Sequence, residues 1–231
     1  MSDQNQLSPE TQNAIIKALS TVRLQPYLRE ANGQIDNAMK IYQLNLQLCA
    51  TLYPSLHIFE ITFRNQMNRA LQDKYGRNWY EGGSFNIQQR AQQSIEDAKN
   101  KVIRQRRPLT HNSIISELTL GFWSAFITKD EYRQSVFDQC IQQIFPYAKS
   151  SERTFTKITP RFQTEILYLR NRVFHHEPIW EKNYKIKQKY EYLCQVLGWM
   201  NPEILSWLQT YDNFLEVYKS ASDSLKTFGS F

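Results

Sequence analysis

Residues 170–178 read RNRVFHHEP and gather side chains that can move protons or hold phosphate: Arg170, Asn171, Arg172, His175 and His176. Two of the chain's four histidines stand here side by side. An imidazole titrates near neutrality and can serve as base or acid. A guanidinium is always charged and offers a planar fork of donors to phosphate oxygens. RNA supplies its own nucleophile, the 2′-hydroxyl. Cutting it needs a base for that proton, an acid for the leaving 5′-oxygen and a cation for the crowded phosphorane, with no metal required.

The same residues admit two other readings. A helix C-terminus attracts cations to its unpaired carbonyls, and Pro178 would end such a helix. Neighbouring histidines can also suggest a metal site, but at i and i+1 they point about 100° apart on a helix. HEPIW further places Trp180 where an HExxH zinc motif needs its second histidine, and Pro178 breaks the helix that motif requires. No metal or cofactor is expected. Arg170 and His175 are five residues apart and diverge by about 140° on a continuous helix. They can converge only if the helix bulges or stops between them.

The rest of the chain must position this segment. Of its 231 residues 41% are hydrophobic and 13% aromatic, enough for a core, while 7 Gly and 8 Pro are few breakers. Long helices are therefore expected, in one all-α domain with no linker long enough to divide it. The net charge of +6 permits an anionic partner without requiring one. Cys49, Cys140 and Cys194 are widely spaced and odd in number, which points to reduced thiols in a cytoplasmic protein. MSDQNQLSPE lacks the pattern of a signal peptide, and no run approaches the ~18 apolar residues of a membrane span.

Pattern and punctuation predict helices over 9–19, from Asp36 toward Tyr53, from Pro54 to Tyr75, over 87–106, across TLGFWSAFI, over 132–144, from Thr159-Pro160 into the motif, and over 184–199 and 202–219. Ser8 and Asp36 are the expected caps of the first two, and Thr110 or Asn112 that of TLGFWSAFI. Residues 21–33, with Pro26, read as a connector; 1–7 and 221–231 read as flexible. Leu52, Leu56, Phe59, Phe63, Met67 and Ala70 form one apolar stripe. Phe122, Trp123 and Phe126 belong to the core, and Trp79-Tyr80 reads as a loop anchor. Glu60 and Arg64 have the spacing of a helical ion pair. Lys99, Lys101, Arg104, Arg106 and Arg107 form either a solvated helix end or a track for an RNA backbone.

Three segments in order carry a resemblance. LYLRNRVFHHEPIW resembles the Arg-x4-6-His signature of HEPN-superfamily ribonucleases, specifically the Abi-like (abortive infection) family. LHIFEITFRNQMNRAL resembles that family's upstream helix, with Glu60, Arg64 and Asn65 matching its Glu-x3-Arg-Asn signature. SELTLGFWSAF resembles its FGFW-type segment, with Leu120 in place of the usual Phe. The resemblance covers roughly residues 36 to 215.

It implies a HEPN-type helical bundle with added N-terminal and inserted helices. It further implies a homodimer that joins two motifs in one cleft, and a metal-independent endoribonuclease acting in antiviral defence as a toxin held by a neutralising partner protein. Arg170 and His175 then match the signature ends and Asn171 its polar companion. His176 would be the base on an Arg-x5-His reading, or would contact phosphate or the second subunit, and Arg172 would join the RNA contacts. Glu60 would orient Arg170 or His175, with Arg64 and Asn65 in support. A non-catalytic RNA-binding or sensor module on the same fold is the alternative, as is an interaction component of a defence system.

Overall fold

The computed structural model describes residues 8–83 and 85–226, and among these every regular element is helical. The first expected helix is present. α1 (Pro9–Leu19) opens with Pro at its first turn, where the missing N–H costs nothing, and the Ser8 hydroxyl accepts the Thr11 N–H at 3.2 Å.

The 21–33 connector is instead a helix, α2 (Thr21–Glu30), despite Pro26 in its interior. Leu24, Tyr27 and Ala31 are buried on one face, while Val22, whose carbonyl would otherwise accept from residue 26, stands on the solvent side. Burial against the next helix outweighs the lost bond.

That next helix, α3 (Ile35–Tyr75), runs for 41 residues, so Pro54 does not restart the chain. At 1.5 Å per residue it spans about 60 Å. Ile41, Asn45, Leu48, Leu52, Leu56, Phe59, Phe63, Met67 and Ala70 form one buried face that passes Pro54 without a change of phase. A break at Pro54 would expose half of it, at more than the roughly 3 kcal/mol that an interior proline costs. Gln34, not Asp36, is the N-cap; Asp36 lies in the first turn and accepts from Gln12 Nε2 at 3.1 Å. α3 is the axis on which most other elements pack.

After α3, Trp79–Glu81 makes one 3-10 turn, with Trp79 and Tyr80 buried as expected of an anchor. α4 (Gln89–Arg104) follows, and then TLGFWSAFI is preceded by a helix of its own. In α5 (His111–Glu117), Thr110 closes a reciprocal capping box with Ser113, while α6 (Leu120–Thr128) is capped by Thr119. Thr110 therefore caps the helix before the expected one. Phe122, Trp123 and Phe126 are buried around Trp79. His111 is buried too, and its Nε2 accepts from Asn68 Nδ2 at 3.1 Å and Gln72 Nε2 at 2.8 Å, while Asn68 Oδ1 accepts from Trp79 Nε1. Burial, and then the positive charge of Arg77, hold this imidazole below its ordinary range. It is a neutral acceptor in the core.

The expected 132–144 helix is a five-residue π-helical turn (Arg133–Phe137) leading into α7 (Asp138–Ile144). The motif helix begins earlier than Thr159, at α8 (Phe155–Arg161), widens into a π-helix over Phe162–Leu167 and tightens into α9 (Tyr168–Phe174). α10 (Ile186–Met200) leads to α11 (Pro202–Gln209), and α12 (Phe214–Lys226) follows. One helix was expected over 202–219. Two form because the Asp212 carboxylate takes the Phe214 N–H and, from the other side, the Ser55 hydroxyl of α3. The chain stays helical to Lys226, through part of the expected flexible tail; residues 1–7 and 227–231 lie outside the described residues. Burial pushes all three thiols up to about 11, so none is a ready thiolate. Among the described residues no helix is long and apolar enough to cross a membrane.

Candidate active site

α9 ends within the motif. Phe174 is its last helical residue and His175 its C-cap, and the His175 N–H still bonds Asn171 O at 2.8 Å. The helical path therefore runs through His175, whose side chain leaves the axis well away from that of Arg170. The end is a Schellman motif: the Glu177 N–H bonds Arg172 O at 2.8 Å, and the His176 N–H bonds Val173 O at 3.2 Å. His176 occupies the left-handed position at φ 59°, where glycine is the usual occupant.

A π-helical stretch, Phe162–Leu167, leads into α9. Phe162, Ile166, Leu169 and Val173, spaced four, three and four, are all buried, and Arg170 lies at the seam with α3. There its Nε, shielded from solvent, faces Glu60 Oε2 at 3.5 Å, an ion pair without hydrogen-bond geometry. Its guanidinium lies over the Phe174 ring, 4.5 Å from the centroid. Its two terminal nitrogens have no protein partner among the described residues.

Glu60 holds this arrangement from α3. Its second oxygen accepts the Leu120 N–H at 3.3 Å, at the N-terminus of α6. The anticipated Glu60–Arg64 ion pair is not formed. Arg64 reaches the Ser116 carbonyl at 3.5 Å, and its Nε donates to the exposed Asn65 at 3.4 Å. Glu60→Ala is expected to lower Tm by a few degrees in a thermal melt. It frees Arg170 and strips the α6 N-terminus of its acceptor. Glu60→Gln retains an acceptor oxygen and should melt closer to wild type.

Beyond the cap the chain is pinned by residues with no part in the expected site. Arg23 of α2 donates to the His175 carbonyl at 3.2 Å, and Asn45 of α3 takes the Ile179 N–H at 2.7 Å in the core. Trp180 packs on Tyr27. Arg172, expected to touch RNA, turns inward: it pairs with Glu177 at 3.2 Å and lies over the Tyr184 ring at 4.5 Å. Asn171, His175 and His176 are exposed, and their side chains make no hydrogen bond or ion pair among the described residues.

Asn45 was legible as a signal. It occupies a position of the Ile41–Leu48–Leu52 stripe where a polar side chain must have a buried partner. Arg23 left no such trace.

The basic run is largely neutralised within the protein. Lys99 pairs with Glu96, and Lys101 and Arg107 converge on Glu117 at 2.7 and 2.5 Å, holding its carboxyl below the usual range. Arg104 and Arg106 remain exposed. Arg107 also reaches Ser116 Oγ at 3.4 Å, so Ser116 links the end of the run to Arg64 and through it to the Glu60 turn. Cavities of about 810 and 510 Å³ lie away from the motif and share Tyr80, Glu81 and Lys99 as walls. Among the described residues no three His, Cys, Asp or Glu side chains group closely enough for a metal ion. No family model, curated protein or solved structure matches this chain.

Proposed function

We propose that this protein is a metal-independent endoribonuclease of the Abi-like HEPN kind, acting as a homodimer whose paired motifs share a cleft. One observation carries the reading. Glu60 on α3 faces the Arg170 guanidinium on its Nε side, leaving the outer nitrogens without a protein partner among the described residues, and His175 stands exposed at the C-cap of the same helix. His175 takes the proton of a 2′-hydroxyl. The freed oxygen attacks the adjacent phosphorus, and Arg170 stabilises the oxygens of the phosphorane. Asn171 lies one residue along, exposed, where it can hold the same phosphate.

The products follow from the chemistry: a 2′,3′-cyclic phosphate on one fragment and a 5′-hydroxyl on the other. Incubation with labelled RNA in EDTA is expected to give those ends. A 3′-hydroxyl and 5′-phosphate would mean an external water or hydroxide as nucleophile and would sink the mechanism. The biological setting that fits is growth arrest during phage infection, with a neutralising partner protein sparing the host in between.

A further inference from the structure

Cleavage through a 2′,3′-cyclic phosphate needs two proton transfers, and His175 performs one of them. The other histidines are not equally placed for the second. His111 is buried and engaged by Asn68 and Gln72. His176 is held in the left-handed cap position next to His175. His57 is different: it is exposed on α3, three residues before Glu60, and therefore one turn from the carboxylate that holds Arg170.

Its ring completes a continuous row across the helix seam. His57 stacks on Tyr53, with centroids 6.0 Å apart and planes 17° apart; Tyr53 meets Phe174 at 5.8 Å; and Phe174 carries the Arg170 guanidinium at 4.5 Å. Glu60 faces Arg170 and Tyr53 faces Phe174, so α3 and α9 run antiparallel here, and His57 falls at a level between those two contacts. Residues one turn apart on a helix have Cβ atoms about 5–6 Å apart. His57 is thus within reach of a phosphate held on the outer face of Arg170. Tyr53 is 53% exposed and Phe174 37%, so this surface is open to a substrate.

We propose that His57 is a second catalytic residue, the general acid that protonates the leaving 5′-oxygen. The proposal rests on the ribonuclease reading. The 2′-oxygen–phosphorus bond forms as His175 accepts the hydroxyl proton. The phosphorus–O5′ bond breaks, its electron pair passes to O5′, and the His57 imidazolium delivers a proton there. Both imidazoles then exchange protons with water, and nothing is oxidised or reduced. Each chain so holds base, acid and cation.

A leaving group that needs no proton separates this role from a structural one. Cleavage by wild type and His57→Gln is compared on an all-oxygen RNA and on the same RNA carrying a 5′-bridging sulfur at the scissile phosphate. The variant is expected to lose about 10²-fold or more on the oxygen substrate and less than tenfold on the sulfur one. Equal losses on both substrates overturn the acid assignment, as does a variant that cuts the oxygen substrate like wild type. A wild-type protein that cuts neither removes the ribonuclease reading itself, and the assignment with it.

Discussion

Replacing Arg170 or His175 with alanine is expected to lower RNA cleavage about 10³-fold while leaving the helical fold in place. Removing one group that stabilises developing charge, or one that transfers a proton, costs factors of this size. The fold should survive because neither side chain belongs to the core. Arg170 borders the seam, and Glu60 keeps its bond to the Leu120 N–H without it. His175 makes its only hydrogen bonds through the backbone, to Asn171 and Arg23. Arg170→Lys keeps the charge but lacks both the Nε aimed at Glu60 and the planar group over Phe174, so it should recover little.

His176 provides the contrast within the same series. Its left-handed backbone makes His176→Gly a relief of strain worth about 1 kcal/mol, or roughly 2–4 °C in Tm. With His175 as base, the glycine variant is expected to melt higher and still cut. If it melts higher and no longer cuts, while His175→Ala does, the base moves by one residue.

Much of this arrangement was legible because periodic burial speaks through sequence. The Leu52 to Ala70 stripe, the Ser8 cap and the helix end near Pro178 are local signals, and the structure has all three. Pro26 and Pro54 misled for one reason: proline is read from its own backbone, whereas the outcome depends on how much surface the flanking turns bury together. The π turns leave no composition mark. Phe162, Ile166, Leu169 and Val173 are spaced four, three and four, as on one face of an ordinary α-helix, and nothing in that spacing announces the π stretch. Helical spacing likewise pairs Glu60 with Arg64, its neighbour in sequence; only the resemblance points to Arg170, the residue on another helix that Glu60 faces. α2 lay outside the segment that resembles HEPN proteins, yet its Arg23 and Tyr27 fix the chain just past the motif.

Phe162→Ala is expected to cost about 3–5 kcal/mol of stability, the range for emptying a buried aromatic site, and so to lower Tm by roughly 10 °C or more. Phe162 is fully buried, with its ring 5.0 Å from Phe63 and 5.9 Å from Phe59, and Phe63 packs on Phe145 beyond. It is also the first residue of the π-helical stretch that leads into α9. Loss of its ring removes the packing that favours six residues of poorer helical geometry over an ordinary α-turn. Cleavage should therefore fall even at temperatures where the variant is folded, because Arg170 loses its registration against Glu60. Phe162→Leu keeps an apolar side chain at the same place and should lose less of both. Thermal melts paired with cleavage rates at 15 °C separate the two effects. A Phe162→Ala protein that is destabilised but cuts at the wild-type rate when folded would show that α9 holds its register without the π turn's aromatic anchor, and that Glu60 alone seats the arginine.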